Sequence, residues 1–205
     1  IQCHSPSIAY NGLWVGVPNE WEETYAFDKE IIQEIYKAIK PHIETFMAES
    51  ETTVTSSIFE SYLDKYFPYA SMKSVISENL IFDEDLLTTI FKIKDRHTEE
   101  VCKIISSFPG YKCRPWTNSP YGEIYRTGID KGTCLKIIQE KLGYSKEDTI
   151  AIGDSDNDYE MLSLAKYAYA IKDSKSKRLT SAFPLTDLGV NEDGAVLMLI
   201  KLLLG

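Results

Sequence analysis

The sequence predicts an α/β protein in which a parallel-sheet core is interrupted by a second, inserted α/β module. Strand-like and helix-like segments alternate through the last third of the chain, which is the pattern that a parallel sheet produces. The middle third carries strands and helices of its own, so it is expected to form a separate module. We place a core fragment at 1–21, the inserted module at 22–122 and the rest of the core at 123–205.

The most informative segment is DTIAIGDSDNDYEML at 148–162. Its apolar residues 149–152 predict a buried parallel strand, and Gly153 lets the chain turn at the carboxyl end of that strand. Acidic or amide side chains then crowd together at Asp154, Asp156, Asn157 and Asp158. Ligands bind beyond the carboxyl ends of strands in open α/β sheets, and oxygen donors without sulfur or imidazole suit hard cations. The segment therefore predicts a Mg²⁺ site, with Ca²⁺ as the second choice.

Two other interpretations of these acidic residues compete with a magnesium site. Asp156 or Asn157 is predicted to cap the helix that follows, and the remaining acids would then be solvated loop residues. A calcium loop of the EF-hand type would explain the alternating acids, but it needs glycine where Tyr159 stands and glutamate where Ala165 stands. The incoming helix of an EF-hand is also missing, so we reject that interpretation.

A predicted helix upstream places a lysine near the acidic segment. The sequence GIDKGTCLKIIQEKLG predicts a helix that begins near Lys131 and ends at Gly143. Three of its apolar residues share one helical face: Leu135, Ile138 and Leu142. Lys131 could be a solvated residue at the helix start. The helix dipole disfavours a cation there, so this placement is mildly unexpected without an anionic partner.

Together these motifs resemble those of the haloacid dehalogenase-like (HAD) phosphatases, specifically the Cof-type branch with a large C2 cap. DKG at 130–132 is similar to the lysine motif of that family, and GDSDND at 153–158 to its acidic metal motif. PSIAYNGLWV at 6–15 resembles the strand and Asn-Gly turn before the cap, and LTDLGVNEDGAV at 185–196 the C-terminal stretch. The resemblance implies a HAD-like Rossmannoid core, incomplete at the N-terminus, with an inserted α/β cap domain.

The same resemblance implies a mechanism and the residues that carry it. Family members attack phosphorus with the first carboxylate of an Asp-x-Asp pair, and water hydrolyses the resulting aspartyl phosphate. Asp154 would bind Mg²⁺ directly, while Asn157 and Asp158 would hold its waters or orient the other ligands. Lys131 would be catalytic, balancing the charge of the nucleophile and the phosphoryl oxygens. Asn11 is a weaker candidate for substrate binding, and a role in the turn is the equal alternative.

The chain departs from the family pattern because no Asp-x-Asp pair follows a buried strand. Asp83 and Asp85 have the required spacing, but the preceding SENLI is a poor strand, so we expect them to belong to the cap. We therefore expect the 205 residues to be a truncated part of a longer polypeptide that is inactive alone. Without the central strand two sheet edges would be exposed, and the missing N-terminal segment or another chain is expected to cover them.

Composition favours a cytoplasmic enzyme. The 205 residues are 43% hydrophobic, enough for a core and a cap. The formal net charge of −9 argues against nucleic acid or an anionic membrane surface as a partner, and no apolar run is long enough to cross a membrane. The four cysteines form no CxxC pair, which is typical of a reducing compartment. The three histidines show no ligand spacing, so no zinc site is expected.

These observations predict a Mg²⁺-dependent phosphatase of a small phosphorylated metabolite, with a sugar phosphate as the expected substrate class. Two other functions fit the same residues: a catalytically inactive regulatory module that binds metal or phosphate, and a phosphomutase. The predicted cap also offers candidates for substrate contacts, although aromatic residues in strands more often pack than bind. They are Arg114, Trp116, Tyr121 and Tyr125.

Overall fold

The computed structural model describes residues 5–59, 73–116 and 118–186, together with residues 194 and 201. The predicted closing helix and most of the C-terminal family motif lie outside the described residues. Within the described part of the chain, no helix combines the length and the apolar character that a membrane crossing requires.

The strands and helices of the described residues are numbered in chain order. The strands are β1 (Ser7–Ala9), β2 (Trp14–Val17), β3 (Trp21–Thr24), β4 (Ile43–Glu49), β5 (Thr53–Ser56), β6 (Lys73–Ile76), β7 (Thr88–Ile93), β8 (Tyr111–Pro115), β9 (Tyr121–Arg126), β10 (Ile150–Gly153) and β11 (Tyr167–Ala170). The α-helices are α1 (Lys29–Ile39), α2 (Thr98–Ser106), α3 (Lys131–Leu142), α4 (Tyr159–Ser163) and α5 (Lys177–Ala182).

Contacts divide the chain into two compact units. Ile1–Thr24 and Ile129–Gly205 form one of them, here called the core unit. Tyr25–Gly128 form the other, here called the inserted unit. The boundaries predicted from the sequence lie a few residues before these two junctions.

The inserted unit is built on one six-stranded sheet. Its strand order is β6-β5-β4-β7-β9-β8, in which only the β5–β6 pair is parallel. Phe46 and Phe91, paired across β4 and β7, stack with ring centroids 6.4 Å apart. Tyr36 of α1 packs on Phe46 at 4.8 Å, so α1 covers this face of the sheet. Side chains alternate along strands, and the neighbouring positions Met47 and Ile90 therefore belong to a separate apolar cluster on the opposite face.

Helix α1 has a capping residue, a buried apolar face and a proline after its end. The carboxylate of Asp28 caps it by accepting a 3.1 Å hydrogen bond from the amide of Ile31. Ile32, Ile35 and Ile39 are buried along one face. The α-helix ends at Ile39, before the proline of a short 3₁₀ turn.

No strand leads directly into Asp83, since β6 ends at Ile76. SENLI contains a 3₁₀ turn, Glu78–Leu80, and the amide of Asp83 donates to the carbonyl of Leu80 at 3.3 Å. Asp83 and Asp85 thus lie in a loop of the inserted unit.

The core unit contains an antiparallel three-stranded ribbon, β1-β2-β3, and a parallel β10–β11 pair. Beyond β11, a parallel bridge joins Ala170 to Leu185. The amide of Ala170 donates to the carbonyl of Pro184 at 2.9 Å, and the amide of Thr186 donates to the carbonyl of Ala170 at 3.0 Å. The alternation of strands and helices therefore does produce a parallel sheet, as the sequence predicts.

Helix α3 has the predicted ends but buries a different face. Asp130 caps its start, and Gly143 ends it with a φ of 71°. The buried residues are Gly132, Cys134 and Gln139. Leu142, which shares the predicted apolar face, is 45% exposed. The buried face is occupied by small and polar side chains because backbone segments of neighbouring elements approach it closely, as the site shows.

Candidate active site

The acid loop, residues 154–158, begins where β10 ends. Gly153 permits this geometry, because a side chain there would place its Cβ only 2.5 Å from the Cβ of Asp158. The amide of Ile171, just after β11, donates to the carbonyl of Gly153 at 2.9 Å. The loop is therefore fixed at the carboxyl end of a parallel strand, which is where ligands bind in open α/β sheets.

Asp158 organises the loop from inside. It is 3% exposed, and its Oδ2 accepts hydrogen bonds from the amides of Asp154 (3.0 Å) and Ser155 (3.1 Å). Ser155, and not the predicted Asp156 or Asn157, is the residue that precedes the short 3₁₀ helix. The cap differs from the prediction because the loop turns one residue earlier and folds back on the Asp158 carboxylate.

Lys131 supplies the counter-charge to this carboxylate. Its Nζ donates a 2.6 Å hydrogen bond to Oδ1 of Asp158. Asp130 caps α3 by accepting from the amide of Thr133 at 2.8 Å, which fixes where the lysine side chain begins. The lysine is 29% exposed, so water and small solutes can reach it. The buried acid compensates the positive charge at this helix start.

A glycine lets α3 approach the acid loop closely. A Cβ on Gly132 would lie 2.7 Å from the carbonyl carbon of Glu160 in α4. Gln139, farther along α3, donates to the hydroxyl of Thr149 (2.7 Å) and to the carbonyl of Leu164 (3.3 Å). These contacts fix α3 against both ends of the β10–α4 segment.

Asn11 and Asn157 hold each other. The Nδ2 of Asn157 donates to Oδ1 of Asn11 at 2.8 Å, and the hydroxyl of Ser155 donates to Oδ1 of Asn157 at 2.7 Å. Asn11 has the left-handed conformation, with φ 55°, between Tyr10 (φ 51°) and Gly12 (φ 106°). Three successive left-handed residues are costly, and their cost is offset by specific contacts around them.

Gly12 and Cys134 attach that turn to α3. A Cβ on Gly12 would lie 2.6 Å from the backbone of Asp130. The thiol of Cys134 donates to the carbonyl of Gly12 at 3.1 Å. Burial raises the pKa of the Cys134 thiol to about 11, so this group is neutral at physiological pH.

Asp154 and Asp156 lie on the exposed side of the loop. The hydroxyl of Ser174 donates to the carbonyl oxygen of Asp154 at 2.6 Å, and the hydroxyl of Ser176 donates to a carboxylate oxygen of Asp156. Sequence reasoning did not identify these two serines as part of the site. The sequence feature that could have identified them is the polar SKSK stretch after β11, which lies at the same end of the parallel sheet.

The oxygen donors present fit a magnesium ion in part. Both carboxylate oxygens of Asp158 accept hydrogen bonds, one from Lys131 and the other from backbone amides. Asp158 therefore acts by positioning the loop. Asp154 is the exposed carboxylate at the end of the strand. Among the described residues, no three acidic, histidine or cysteine side chains converge as metal ligands. Mg²⁺ commonly keeps several waters and uses one or two carboxylates with substrate phosphate, and Asp154 suits that role.

The sequence is similar to those of known proteins. A profile of the haloacid dehalogenase-like hydrolase family matches residues 1–200. A phosphoglycolate phosphatase from Natronomonas pharaonis is 40% identical over 60 residues, which are 29% of this chain and 26% of that protein. Matches to the first curated relatives span about a quarter to a third of the length of those relatives.

Solved structures share the fold. A protein from Streptococcus mutans UA159 superposes with a TM-score of 0.78 at 20% identity, covering 97% of this chain and 76% of that one. A HAD subclass IIB sugar phosphatase superposes with a TM-score of 0.70 at 18% identity, covering 92% of this chain and 72% of that one. Because the family profile extends over nearly all of the sequence, the chain belongs to the haloacid dehalogenase-like hydrolase family.

Proposed function

We propose that the complete protein is a Mg²⁺-dependent phosphatase of a small phosphorylated metabolite, with a sugar phosphate as the substrate class. The observation that carries this proposal is the Lys131–Asp158 pair beside the exposed Asp154 at the end of β10. The names of similar proteins support it, since one is a phosphoglycolate phosphatase and another a sugar phosphatase.

In this proposal each residue of the site has a separate task. Asp154 would hold Mg²⁺, which when bound supplies Lewis-acid polarisation of a phosphoryl oxygen. Lys131 would stabilise charge on the transferring phosphoryl group while remaining bound to Asp158. The Asn157–Asn11 hydrogen bond would keep the loop in place, which makes Asn11 a positioning residue.

We propose that the nucleophile comes from a polypeptide segment outside the 205 residues. Asp83 and Asp85 lie in a loop of the inserted unit and do not directly follow a strand, so the structure gives them no support as the attacking pair. A carboxylate from the additional segment would attack phosphorus and break the bond to the substrate oxygen, which leaves as the alcohol. Water would then hydrolyse the aspartyl phosphate to inorganic phosphate and the free carboxylate. Residues 1–205 alone are accordingly expected to be inactive.

Arg114, one of the candidates for substrate contacts, belongs to a polar cluster of the inserted unit. Arg114 and Glu123, paired across β8 and β9, form a 2.7 Å ion pair, and the guanidinium lies 4.6 Å from the Tyr125 ring centroid. Tyr121 is 4% exposed, and Trp116 packs against its cluster, so these two aromatics stabilise the sheet. Arg114 and Tyr125 therefore remain the candidates for substrate contacts in the inserted unit.

The experiment is a comparison of residues 1–205 with the complete protein. Both are assayed with Mg²⁺ against para-nitrophenyl phosphate, 2-phosphoglycolate and a panel of sugar phosphates, with Asp154→Asn as the contamination control. Release of inorganic phosphate by the complete protein supports a phosphatase, whereas an isomeric sugar phosphate as product indicates a phosphomutase. A complete protein that binds Mg²⁺ but has no turnover would favour the regulatory module. Robust turnover by 1–205 that Asp154→Asn removes would return Asp83 and Asp85 to consideration.

A further inference from the structure

Two histidines of the inserted unit meet although they are 55 residues apart in sequence. Nδ1 of His42 lies 3.0 Å from Nδ1 of His97, with ring centroids 4.9 Å apart and ring planes tilted by 47°. Both side chains are half-buried, so one side of the pair is open to water.

The backbone holds the pair rigidly. His42 directly precedes β4, and β4 pairs antiparallel with β7 through Ile43 and Ile93. At the end of this ladder, the amide of Lys94 donates to the carbonyl of His42 at 3.0 Å, and the amide of His97 donates to the carbonyl of Lys94 at 3.1 Å. The end of the sheet and the start of α2 therefore hold the two imidazoles in place. The histidine side chains then lose little conformational entropy when a ligand binds.

The nitrogen spacing suits two neighbouring ligands of one metal ion. At a usual metal–imidazole bond length of about 2.0–2.1 Å, nitrogens 3.0 Å apart subtend roughly 90° at the ion. A right angle belongs to square-planar or octahedral coordination, which Cu²⁺ and Ni²⁺ adopt, whereas tetrahedral Zn²⁺ prefers a wider angle. We propose that His42 and His97 form a two-histidine site for a late divalent transition metal, Cu²⁺ or Ni²⁺ before Zn²⁺.

The surroundings set the strength of this site. Nearby positive groups are engaged elsewhere, since Nζ of Lys94 donates to the carbonyl of Pro41 at 2.7 Å and Arg96 lies 3.6 Å from the carboxylate of Asp95. Among the described residues no third histidine, cysteine or acid joins the pair as a ligand. Water completes the coordination, so the affinity is below that of a three-histidine site. A bound ion would link the entry to β4 with the start of α2 and raise the melting temperature of the protein.

Untagged protein is titrated with NiCl₂, CuCl₂ and ZnCl₂ by calorimetry, thermal melting and, for copper, electron paramagnetic resonance. With excess MgCl₂ present to occupy the proposed magnesium site, we expect one transition-metal ion per chain and copper bound most tightly. We also expect a raised melting temperature and a spectrum with two coordinated nitrogens. His42→Ala and His97→Ala should each weaken binding about tenfold or more, at unchanged circular dichroism.

Two control variants separate this site from the rest of the chain. His4→Ala removes the third histidine of the sequence, and Asp154→Asn alters the proposed magnesium site; neither should change nickel or copper affinity. The proposal is overturned if the untagged protein binds none of the three ions. It is equally overturned if affinity survives in both His42→Ala and His97→Ala, because the pair would then be an imidazole–imidazole hydrogen bond only. Either result leaves the phosphatase proposal untouched.

Discussion

The ammonium group of Lys131 lies 2.6 Å from Oδ1 of Asp158, while Oδ2 of the same carboxylate binds two backbone amides of the acid loop. One buried acid thus connects the start of α3 with the end of β10. Its charge holds the lysine at a helix start, where a cation is otherwise disfavoured, and its hydrogen bonds shape the loop that carries Asp154. The charge of Lys131 and the shape of the loop are therefore linked through one side chain.

Replacing Lys131 by Met should lower kcat of the complete protein by about 100-fold or more, because the charge proposed to stabilise the phosphoryl group is lost. The free energy of unfolding should fall by about 1–3 kcal/mol, since Asp158 loses a charged partner but keeps two amide donors. Lys136→Met, on the exposed side of the same helix, is the matched control and should change neither quantity much. Activity of Lys131→Met within a few-fold of the parent would contradict its catalytic role.

Replacing Asp154 by Asn should weaken Mg²⁺ binding more than about tenfold, because a charged oxygen donor is removed. Titration calorimetry of the complete protein measures the effect. Asp156→Asn is the comparison, since the carboxylate of Asp156 is engaged by Ser176 and should matter little for Mg²⁺. Equal losses in the two variants would mean that general negative charge, and not Asp154 itself, attracts the ion.

Replacing Asn11 by Gly and by Ala should separate the side chain from the backbone. Asn11→Gly keeps the left-handed conformation and loses the hydrogen bond to Asn157, for an expected cost of about 1 kcal/mol in urea unfolding. Asn11→Ala should cost about 1–2 kcal/mol more, because alanine is strained at φ 55°. Equal stabilities of the two variants would show that the turn relaxes and stores no strain.

Replacing Gly132 by Ala should destabilise the protein although alanine is the better helix former. The intrinsic gain is about 1 kcal/mol, but the new Cβ would lie 2.7 Å from the backbone of Glu160, and overpacking typically costs about 1–3 kcal/mol. Activity should fall as well, because α4 must move with the acid loop. Gly143→Ala has open space around its Cβ and a φ of 71°, so it should lower stability without lowering activity. A stabilised Gly132→Ala would refute the close approach.

Cys134 should resist alkylation in the folded protein. Burial raises its pKa to about 11, so at pH 8 about one thiol in a thousand is ionised, and the side chain is fully buried. Folding raises this pKa from 9.0, so the stability that the neutral thiol contributes is present below pH 9 and is lost as the pH rises toward 11. Peptide mapping after iodoacetamide treatment, with and without urea, checks the prediction. Rapid native modification of Cys134 would disprove it.

Local signals in the sequence were sufficient for the elements that position the site. The glycine after an apolar strand located the acid loop. The start of α3 near Lys131 and its end at Gly143 were also predicted. Each of these signals acts within a few residues, because a cap or a left-handed turn needs no distant partner.

Features that depend on distant segments were missed or predicted wrongly. Apolar periodicity selected the Leu142 face of α3, but the buried face carries Gly132 and Cys134 because backbone from Glu160 and Gly12 comes close there. Histidine spacing along the chain gave no sign of the His42–His97 contact, which antiparallel pairing of β4 and β7 creates. Strands β3 and β6 were not predicted, since their short polar sequences gain strand structure only by pairing with neighbours.

The hydrogen bond between Asn11 and Asn157 spans 146 positions, and the whole inserted unit lies between the two residues in sequence. This order has a consequence for how the chain folds as it is synthesised. The contiguous Tyr25–Gly128 segment can complete its sheet while Asn157 has not yet been added, whereas the β1-β2-β3 ribbon must wait for α3 and β10. Closing so long a loop is slow, and a preformed inserted unit shortens the effective distance between its ends. Assembly of the acid loop is therefore the late event of folding. In a nascent chain halted at Gly128, α1 and β4 should already be protected from proteolysis, whereas Asn11 should not.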